Sequence, residues 1–357
     1  MANSEQSLTF ALPIIDLTEV NSCNAMDMAS FTLNLREICR ESGFFYLLGH
    51  DFTTEELAEV QTLAHAFFAL DPAEKNNIAM VNSPHFRGYN HVAAESTQQR
   101  PDYREQIDIG AELTALELNA QSPNYYRLQG PNQWPQHWPE FREKITAFQG
   151  KARQLSIELL RHFLIALQQP ADALDILIDP AHPAELLKLL HYPASSNPDH
   201  RQGVGAHKDS GIITLLTQDP IGGLQVYTQN SWKDIPYVEG ALIVIIGEVL
   251  ELASNGYLHG NIHRVNAPQA GQDRYSIAYF LTPNIFAGDI PILDLKPELA
   301  ALALGPDYEP HNPLYRNVGL NTLKGRLRSH LDVTERHYPK EYQQLQNKQT
   351  LVETTEV

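Results

Sequence analysis

The sequence is poor in cysteine, in basic residues and in long apolar runs. Its 357 residues include two cysteines, Cys23 and Cys39, too few for a disulfide framework or a cysteine-rich zinc site. Lysine and arginine number 26 against 43 aspartates and glutamates, which gives a formal net charge of −17. That acidity disfavours a nucleic acid or an anionic membrane as the main partner. A small anionic ligand stays compatible with it, because such a ligand needs only a local basic pocket.

No hydrophobic segment approaches the length of a membrane span. The longest apolar run, residues 241–246, is as long as a buried strand, whereas a helix that crosses a bilayer needs about 20 residues. Residues 1–10 lack the basic and apolar segments of a signal peptide. We therefore expect a cytoplasmic protein without membrane contact. With 43% hydrophobic and 19% charged residues, the composition predicts a folded globular chain.

The hydrophobic pattern divides the chain into a helix-rich first half and a strand-rich second half. Apolar residues at helical spacing predict helices at 28–40, 55–70 and 141–168. After Pro183, short apolar runs separated by Gly, Pro and Asn predict strands at 186–192, 212–216, 224–227, 241–246 and 276–281. Short strands at this spacing favour a sandwich or jelly roll over a parallel α/β sheet.

A histidine and a carboxylate two residues apart are the first candidate metal ligands. His207 and Asp209 stand just before a predicted strand, and alternation places their side chains on one face. Alone, the pair is better explained as a turn histidine supported by an aspartate. His263 follows after two further predicted strands, and two imidazoles with one carboxylate form the facial triad of Fe(II) sites. A zinc hydrolase with the same ligand types is the chemical rival.

Arg274 and Ser276 form a second pair that shares one face of a strand. The strand is otherwise apolar and aromatic, and burying an unpaired arginine there is costly, so we expect a carboxylate partner. A guanidinium binds a carboxylate with two parallel hydrogen bonds, and the Ser276 hydroxyl adds a third. An α-keto acid that chelates Fe(II) would be held at its far end by this pair, with O₂ at the last metal position. A zinc hydrolase has no use for it.

Several short segments of the second half occur together in a known order: 187–193 (LKLLHYP), 203–209 (GVGAHKD), 222–226 (GGLQV), 254–256 (SNG), 263–265 (HRV) and 274–276 (RYS). In the first half, 13–17 (PIIDL), 42–45 (SGFF) with Gly49-His50, and 130–135 (GPNQWP) accompany them. The chain thus resembles the isopenicillin N synthase-like branch of the Fe(II)/2-oxoglutarate-dependent oxygenases. The likeness extends from about Pro13 to Asn284.

The resemblance implies a mainly β protein with flanking helices. Its core would be a double-stranded β-helix, a distorted jelly roll, with a helical N-terminal region. The chain would divide into an N-terminal dioxygenase-type region (10–135), a long linking helix (136–181), the jelly-roll core (182–287), and a C-terminal region with a polar tail (288–357).

The resemblance also implies a role for each motif residue, either as a metal ligand (His207, Asp209, His263) or as a residue that holds 2-oxoglutarate (Arg274, Ser276, Tyr192). Plant members often carry Asn two residues before that tyrosine, where this chain has Leu190. The corresponding contact to the cosubstrate is then missing or supplied by His191. Arg87 and Tyr89 fall where this branch builds part of its substrate pocket; they either bind substrate or pair with the acidic surface.

The function implied is oxidation of a small molecule by Fe(II), O₂ and 2-oxoglutarate, with release of succinate and CO₂. Hydroxylation, desaturation and cyclisation are all open, as are the substrate and the oligomeric state. One alternative is an Fe(II) oxidase of the isopenicillin N synthase type that does not use 2-oxoglutarate, since such members keep the Arg-x-Ser pair. A remoter one is a non-catalytic jelly roll that binds a small acid.

Overall fold

The computed structural model describes residues 12–21, 25–179, 183–197, 200–268, 271–307 and 312–355. Its helices are α1 (Thr18–Asn21), α2 (Ala25–Glu41), α3 (Thr54–Phe68), α4 (Pro72–Asn77), α5 (Pro139–Ala166), α6 (Glu248–Ala253), α7 (Pro297–Ala300), α8 (Val318–Ser329), α9 (Leu331–His337) and α10 (Pro339–Thr355). Within the described ranges, none of them combines the length and the apolarity needed to cross a membrane.

The strands are β1 (Ile14–Asp16), β2 (Phe44–Leu48), β3 (Gly88–Asn90), β4 (Ser96–Thr97), β5 (Arg100–Pro101), β6 (Glu105–Gly110), β7 (Glu185–Tyr192), β8 (Gln202–His207), β9 (Ile213–Gln218), β10 (Leu224–Thr228), β11 (Ser231–Asp234), β12 (Leu242–Ile246), β13 (His263–Asn266) and β14 (Arg274–Leu281). They form an eight-stranded main sheet, β1-β2-β12-β9-β14-β7-β6-β3, and a four-stranded minor sheet, β11-β10-β13-β8. β4 and β5 form a separate two-stranded hairpin.

The two large sheets face each other across an apolar layer. Val204 and Val265 of the minor sheet pack in one cluster with Leu190, Leu216 and Ala278 of the main sheet. Apart from the parallel pair β1–β2, the pairings of both sheets are antiparallel. The face of the main sheet toward the minor sheet is called the inner face below. It is the face that holds the candidate site.

Helices cover the outer face of the main sheet. The apolar positions of α5, among them Ile145 and Phe163, join the same core cluster as Ile277 and Tyr279 of β14. Alternation along β14 therefore sends Ile277 and Tyr279 outward to the helices and Ser276 and Ala278 inward, as the sequence pattern predicts. The long helix predicted at 141–168 is α5.

Two parts of the fold lie where the sequence pattern predicted no regular element. Strands β3 and β6 come from the helix-rich first half, yet β6 pairs with β7 and extends the main sheet. The polar tail, together with the mixed pattern before it, contains helices α8, α9 and α10. Buried residues of α8 and α9 pack with residues of the N-terminal half, in a cluster that includes Leu323, Val333, Met80 and Phe86.

Candidate active site

Three potential metal ligands meet where the minor sheet faces the main sheet. The donor atoms of His207, Asp209 and His263 lie within 4.8 Å of one another. The Nε2 atom of each histidine is 3.7 Å from Asp209 Oδ1. His207 ends β8, His263 opens β13, and the strand register pairs the two directly. Antiparallel pairing thus brings together residues that lie far apart in the sequence.

A hydrogen bond at Nδ1 holds each imidazole, that of His207 and that of His263, and leaves its Nε2 without a hydrogen-bond partner among the residues that the structure describes. His207 Nδ1 lies 2.8 Å from Gly205 O, and His263 Nδ1 lies 3.2 Å from Asn261 O. Because a carbonyl only accepts, each Nδ1 donates and each Nε2 keeps its lone pair for a metal. Burial and the neighbouring His263 lower the pKa of His207 to about 4, so its ring is neutral at physiological pH.

Thr214 of β9 orients the third candidate ligand. Its hydroxyl donates to Asp209 Oδ2 at 2.6 Å, while the other carboxylate oxygen faces the two histidines. The resulting donor set is two imidazole nitrogens and one carboxylate oxygen. This is the set that Fe(II) takes in a facial triad, which leaves coordination positions open for other ligands.

Arg274 is buried without a carboxylate partner in the part of the chain that the structure describes. The residue is 1% exposed; Nη1 donates to Ser276 Oγ at 3.2 Å, Nε donates to Gly222 O, and Nη2 has no partner. Its guanidinium carbon lies 4.6 Å from the centre of the Tyr192 ring. A buried charge with an unused donor is costly. The expected carboxylate partner is therefore absent from the described residues, and the geometry suits an anionic ligand.

Buried charged side chains continue from Tyr192 along the inner face. Arg104 lies near Tyr192, and Glu95 accepts hydrogen bonds from Arg104 at 2.7 Å and from Lys188 at 3.2 Å. Burial alone would raise the pKa of Glu95, but the charges of Lys188 and Arg104 hold it well below its usual range. Lys188 also lies 3.8 Å from Asp108. The inner face therefore combines the apolar layer with a network of paired charges.

The C-terminal helices add two residues to this network. Arg326 of α8 donates to Asp108 at 2.9 Å. His330, between α8 and α9, lies 3.7 Å from Glu95 and contacts Asn90 of β3 at 3.1 Å. The C-terminal region thus closes over the charged part of the inner face.

The two candidate substrate residues lie on opposite sides of the main sheet. The Arg87 guanidinium lies over Gly110 on the inner face, where a Cβ added to Gly110 would come within 2.3 Å of Nε. Tyr89 is buried on the outer face, and its hydroxyl donates to Glu105. The structure brings Arg87, and not Tyr89, to the side of the sheet that carries the metal triad.

Comparison with known proteins is decisive at this point. Residues 12–137 match the family model described as the non-haem dioxygenase in morphine synthesis N-terminal domain, and residues 183–283 match that of the 2OG-Fe(II) oxygenase superfamily. A 2-oxoglutarate-dependent dioxygenase of Dothideomycetidae sp. (strain 11243) is 32% identical over 92% of this chain and 93% of its own. The chain belongs to the Fe(II)/2-oxoglutarate-dependent oxygenase superfamily. It is accordingly a dioxygenase that uses Fe(II) and 2-oxoglutarate.

Other relatives of this oxygenase are known by substrate. A homoarginine-6-hydroxylase of Oryza sativa subsp. japonica is 30% identical over 79% of this chain and 88% of its own. A full-length Neurospora crassa protein, crystallised in complex with alpha-KG (2-oxoglutarate) and thymine, has a TM-score of 0.70 and 25% identity, and the match covers 88% of this chain and 96% of that one. The predicted jelly-roll fold is confirmed, since these structural neighbours share it.

Four side chains of the oxygenase site went unassigned in the sequence: Thr214, Arg104, Lys188 and Glu95. Thr214 lies on the same strand face as the apolar Leu216, and only the alternation of β9 could have placed it toward Asp209. Arg104 and Glu95 lie in the segment before β6, for which periodicity gave no strand, and Lys188 lies on the predicted strand β7 but finds its partner Glu95 in that segment. His191, considered as a contact to the cosubstrate, points to the outer face, where its Nδ1 lies 2.7 Å from Glu105.

Proposed function

We propose that this oxygenase oxidises a small molecule with His207, Asp209 and His263 as the ligands of Fe(II). The support is the donor set itself: two imidazoles, each held through Nδ1 with Nε2 toward the other ligands, and one carboxylate oxygen, all turned toward one point. Hydrogen bonds to Gly205 and Asn261 fix the two rings in advance.

We further propose that Arg274 and Ser276 bind the distal carboxylate of 2-oxoglutarate. The observation that carries this assignment is the buried, unpartnered Nη2 of Arg274 on the inner face that the metal triad also faces. Ser276 Oγ, 3.2 Å from Nη1, adds a hydroxyl at the same place. Tyr192 stacks below the guanidinium, so it supports the anchor from one side.

In the proposed reaction the protein binds, orients and excludes water. Fe(II), when bound with 2-oxoglutarate and O₂, supplies the oxidising chemistry and yields succinate and CO₂. Arg274 and Ser276 hold the cosubstrate at its far end, and the apolar layer of Val204, Leu216 and Val265 keeps water from its chain. Thr214 keeps Asp209 turned toward the metal position. Whether the substrate is hydroxylated, desaturated or cyclised then depends on how the inner face positions it.

The substrate that we propose is a free small molecule. The relatives point the same way: one is named a homoarginine hydroxylase, and the Neurospora crassa complex contains thymine. The strongly acidic chain, at −17, also disfavours a nucleic-acid substrate.

The direct test is iron-dependent conversion of 2-oxoglutarate to succinate by the purified full chain, compared with Asp209→Ala. We expect the variant to fold, to lose the tight Fe(II) site in equilibrium binding, and to lose succinate release. Asp172→Ala changes an exposed aspartate and serves as the matched control. Tight iron binding by Asp209→Ala would contradict the ligand assignment. Oxygen consumption without 2-oxoglutarate would contradict the cosubstrate.

A further inference from the structure

Arg87 is a deeply placed cation without a carboxylate partner among the described residues. Its Nη1 donates to the carbonyls of His85 (3.1 Å) and Phe86 (3.4 Å), its Nη2 reaches Leu128 O at 3.5 Å, and its Nε has no partner. Burial, followed by the nearby charge of Arg326, lowers the pKa of Arg87 to about 10. These carbonyl contacts hold the side chain in place but leave its charge unbalanced.

The carboxylates around Arg87 are already used by other cations. Asp108 pairs with Arg326 at 2.9 Å and lies 3.8 Å from Lys188. The inner-face network holds four cations and three carboxylates: Arg87, Arg104, Lys188 and Arg326 against Glu95, Asp102 and Asp108. Four against three leaves one positive charge in excess within this set, and Arg87 is the member of the set that has no ion pair with a described residue. A further anion would balance it.

Arg87 and the metal triad lie at the two ends of one row of residues that are paired across the strands of the main sheet. Gly110, which lies beneath its guanidinium, belongs to a row of directly paired residues that continues through Leu186 and Phe280 to Thr214. Thr214 is the residue whose hydroxyl holds Asp209. Three strand spacings separate the two ends of the row, roughly 14 Å.

Several groups at and between these two ends are only partly buried. Phe280 lies on the inner face of β14, a central strand, and is nevertheless only partly buried. The His207 side chain keeps 32% of its surface accessible. Arg87 is likewise only partly buried. Partial exposure of these groups on the same side of the main sheet leaves room for a small ligand beside the row, whose member Leu186 is itself buried.

We propose that Arg87 binds a carboxylate of the substrate, which makes the substrate a small carboxylic acid oxidised several bonds away from that carboxylate. This inference rests on the proposed function, because it takes the triad as the place of oxidation. A planar guanidinium forms strong hydrogen bonds with a carboxylate, and a dry surrounding strengthens them. The carboxylate would complete the ion pairing of the inner face.

The test uses matched acids and amides as probes: hexanoate with hexanamide, phenylacetate with phenylacetamide, and 4-phenylbutanoate with 4-phenylbutanamide. Binding to the full chain, loaded with Fe(II) and saturating 2-oxoglutarate without oxygen, is measured by calorimetry. We expect the acid to bind more tightly than its amide in at least one pair. Arg87→Met should reduce that preference on the order of 10- to 100-fold. Arg161→Met, at a surface ion pair with Asp175, should retain it.

Gly110→Ala provides a second variant that keeps the charge. Its methyl group would displace the guanidinium by occupying the space of Nε, so the acid preference should fall although the arginine is present. This variant also decides the matter if Arg87→Met fails to fold. Equal binding of acid and amide, a preference that survives both variants, or no binding of any probe would overturn the proposal.

Two readings separate this inference from the proposed function. Visible absorption of the same samples reports whether 2-oxoglutarate chelates the iron. Without that absorption the proposed function fails, whereas absorption without acid preference overturns the substrate class alone. Acid binding that is seen only when 2-oxoglutarate is left out would place the probe at Arg274 and would also contradict the role of Arg87.

Discussion

At the scale of single residues, the metal triad depends on the polar groups that orient its ligands. Each candidate ligand has one such group: Gly205 O for His207, Asn261 O for His263, and the Thr214 hydroxyl for Asp209. The two carbonyls belong to the backbone and survive any side-chain change. Thr214 is therefore the orienting contact that a substitution can remove.

Thr214→Val should weaken Fe(II) binding by about 10- to 100-fold without unfolding the protein. The valine keeps the shape of threonine but leaves Asp209 Oδ2 without its 2.6 Å hydrogen bond. Equilibrium metal titration measures the effect. Thr217→Val is the matched control, because Thr217 lies on the same strand and bonds Gln61 instead. Equal losses in both variants, or none in Thr214→Val, would contradict the role of Thr214.

At the scale of elements, alternation along β14 places the proposed cosubstrate-binding residues on one face of the strand and core residues on the other. Arg274 and Ser276 face inward, whereas Ile277, buried to 1% exposure, packs outward in the core beneath the helices. Neighbouring positions on this strand therefore have different roles, ligand binding on the inner face and core packing on the outer face. Substitutions at adjacent residues should have different consequences.

Ser276→Ala should raise the KM for 2-oxoglutarate roughly 10-fold and leave the free energy of unfolding nearly unchanged, because it removes one hydroxyl from the anchor. Ile277→Ala should do the reverse. It creates a cavity in the core and should cost about 2–5 kcal/mol of stability with little effect on KM. Succinate release and urea unfolding measure the two quantities. A KM effect at Ile277 that matched that of Ser276 would show that the two faces are not independent.

The elements also show how far sequence reasoning reaches. Period-two alternation placed Arg274 and Ser276 together, and motif order indicated that His263 would join His207 and Asp209. In the structure, Arg274 Nη1 donates to Ser276 Oγ, and the donor atoms of His207, Asp209 and His263 lie within 4.8 Å of one another. The short strand β3, three residues long, gave no period to count, so the pattern did not place Arg87 and Tyr89 on opposite faces.

At the scale of the whole molecule, the C-terminal helices join the N-terminal strands. Arg326 bonds Asp108 of β6, and His330 contacts Asn90 of β3. Such contacts between the two ends of the chain depend on tertiary structure and leave no periodic signal in the sequence. The polar composition of the tail accordingly hid helices that pack against the site.

The burial of His330 should make stability depend on pH. Burial lowers its pKa to about 4, below the ordinary value of 6.5, so the unfolded chain takes up a proton at higher pH than the folded chain. The stabilising effect of the neutral ring is full above pH 6.5 and is lost as pH falls toward 4. Between pH 7 and pH 5 the free energy of unfolding should fall in both proteins. The fall should be about 2 kcal/mol smaller in His330→Asn than in the parent, as measured by urea unfolding. Identical pH dependence in the two proteins would contradict this account.

The central claim is that 2-oxoglutarate chelates iron at the triad while Arg274 holds its far end. Visible absorption of the Fe(II)-loaded protein, recorded without oxygen as 2-oxoglutarate is added, tests it most directly. We predict a weak charge-transfer band that saturates at low 2-oxoglutarate, and one that needs far more cosubstrate in Arg274→Ala. Bound iron without a band, or a band indifferent to Arg274→Ala, would contradict the account.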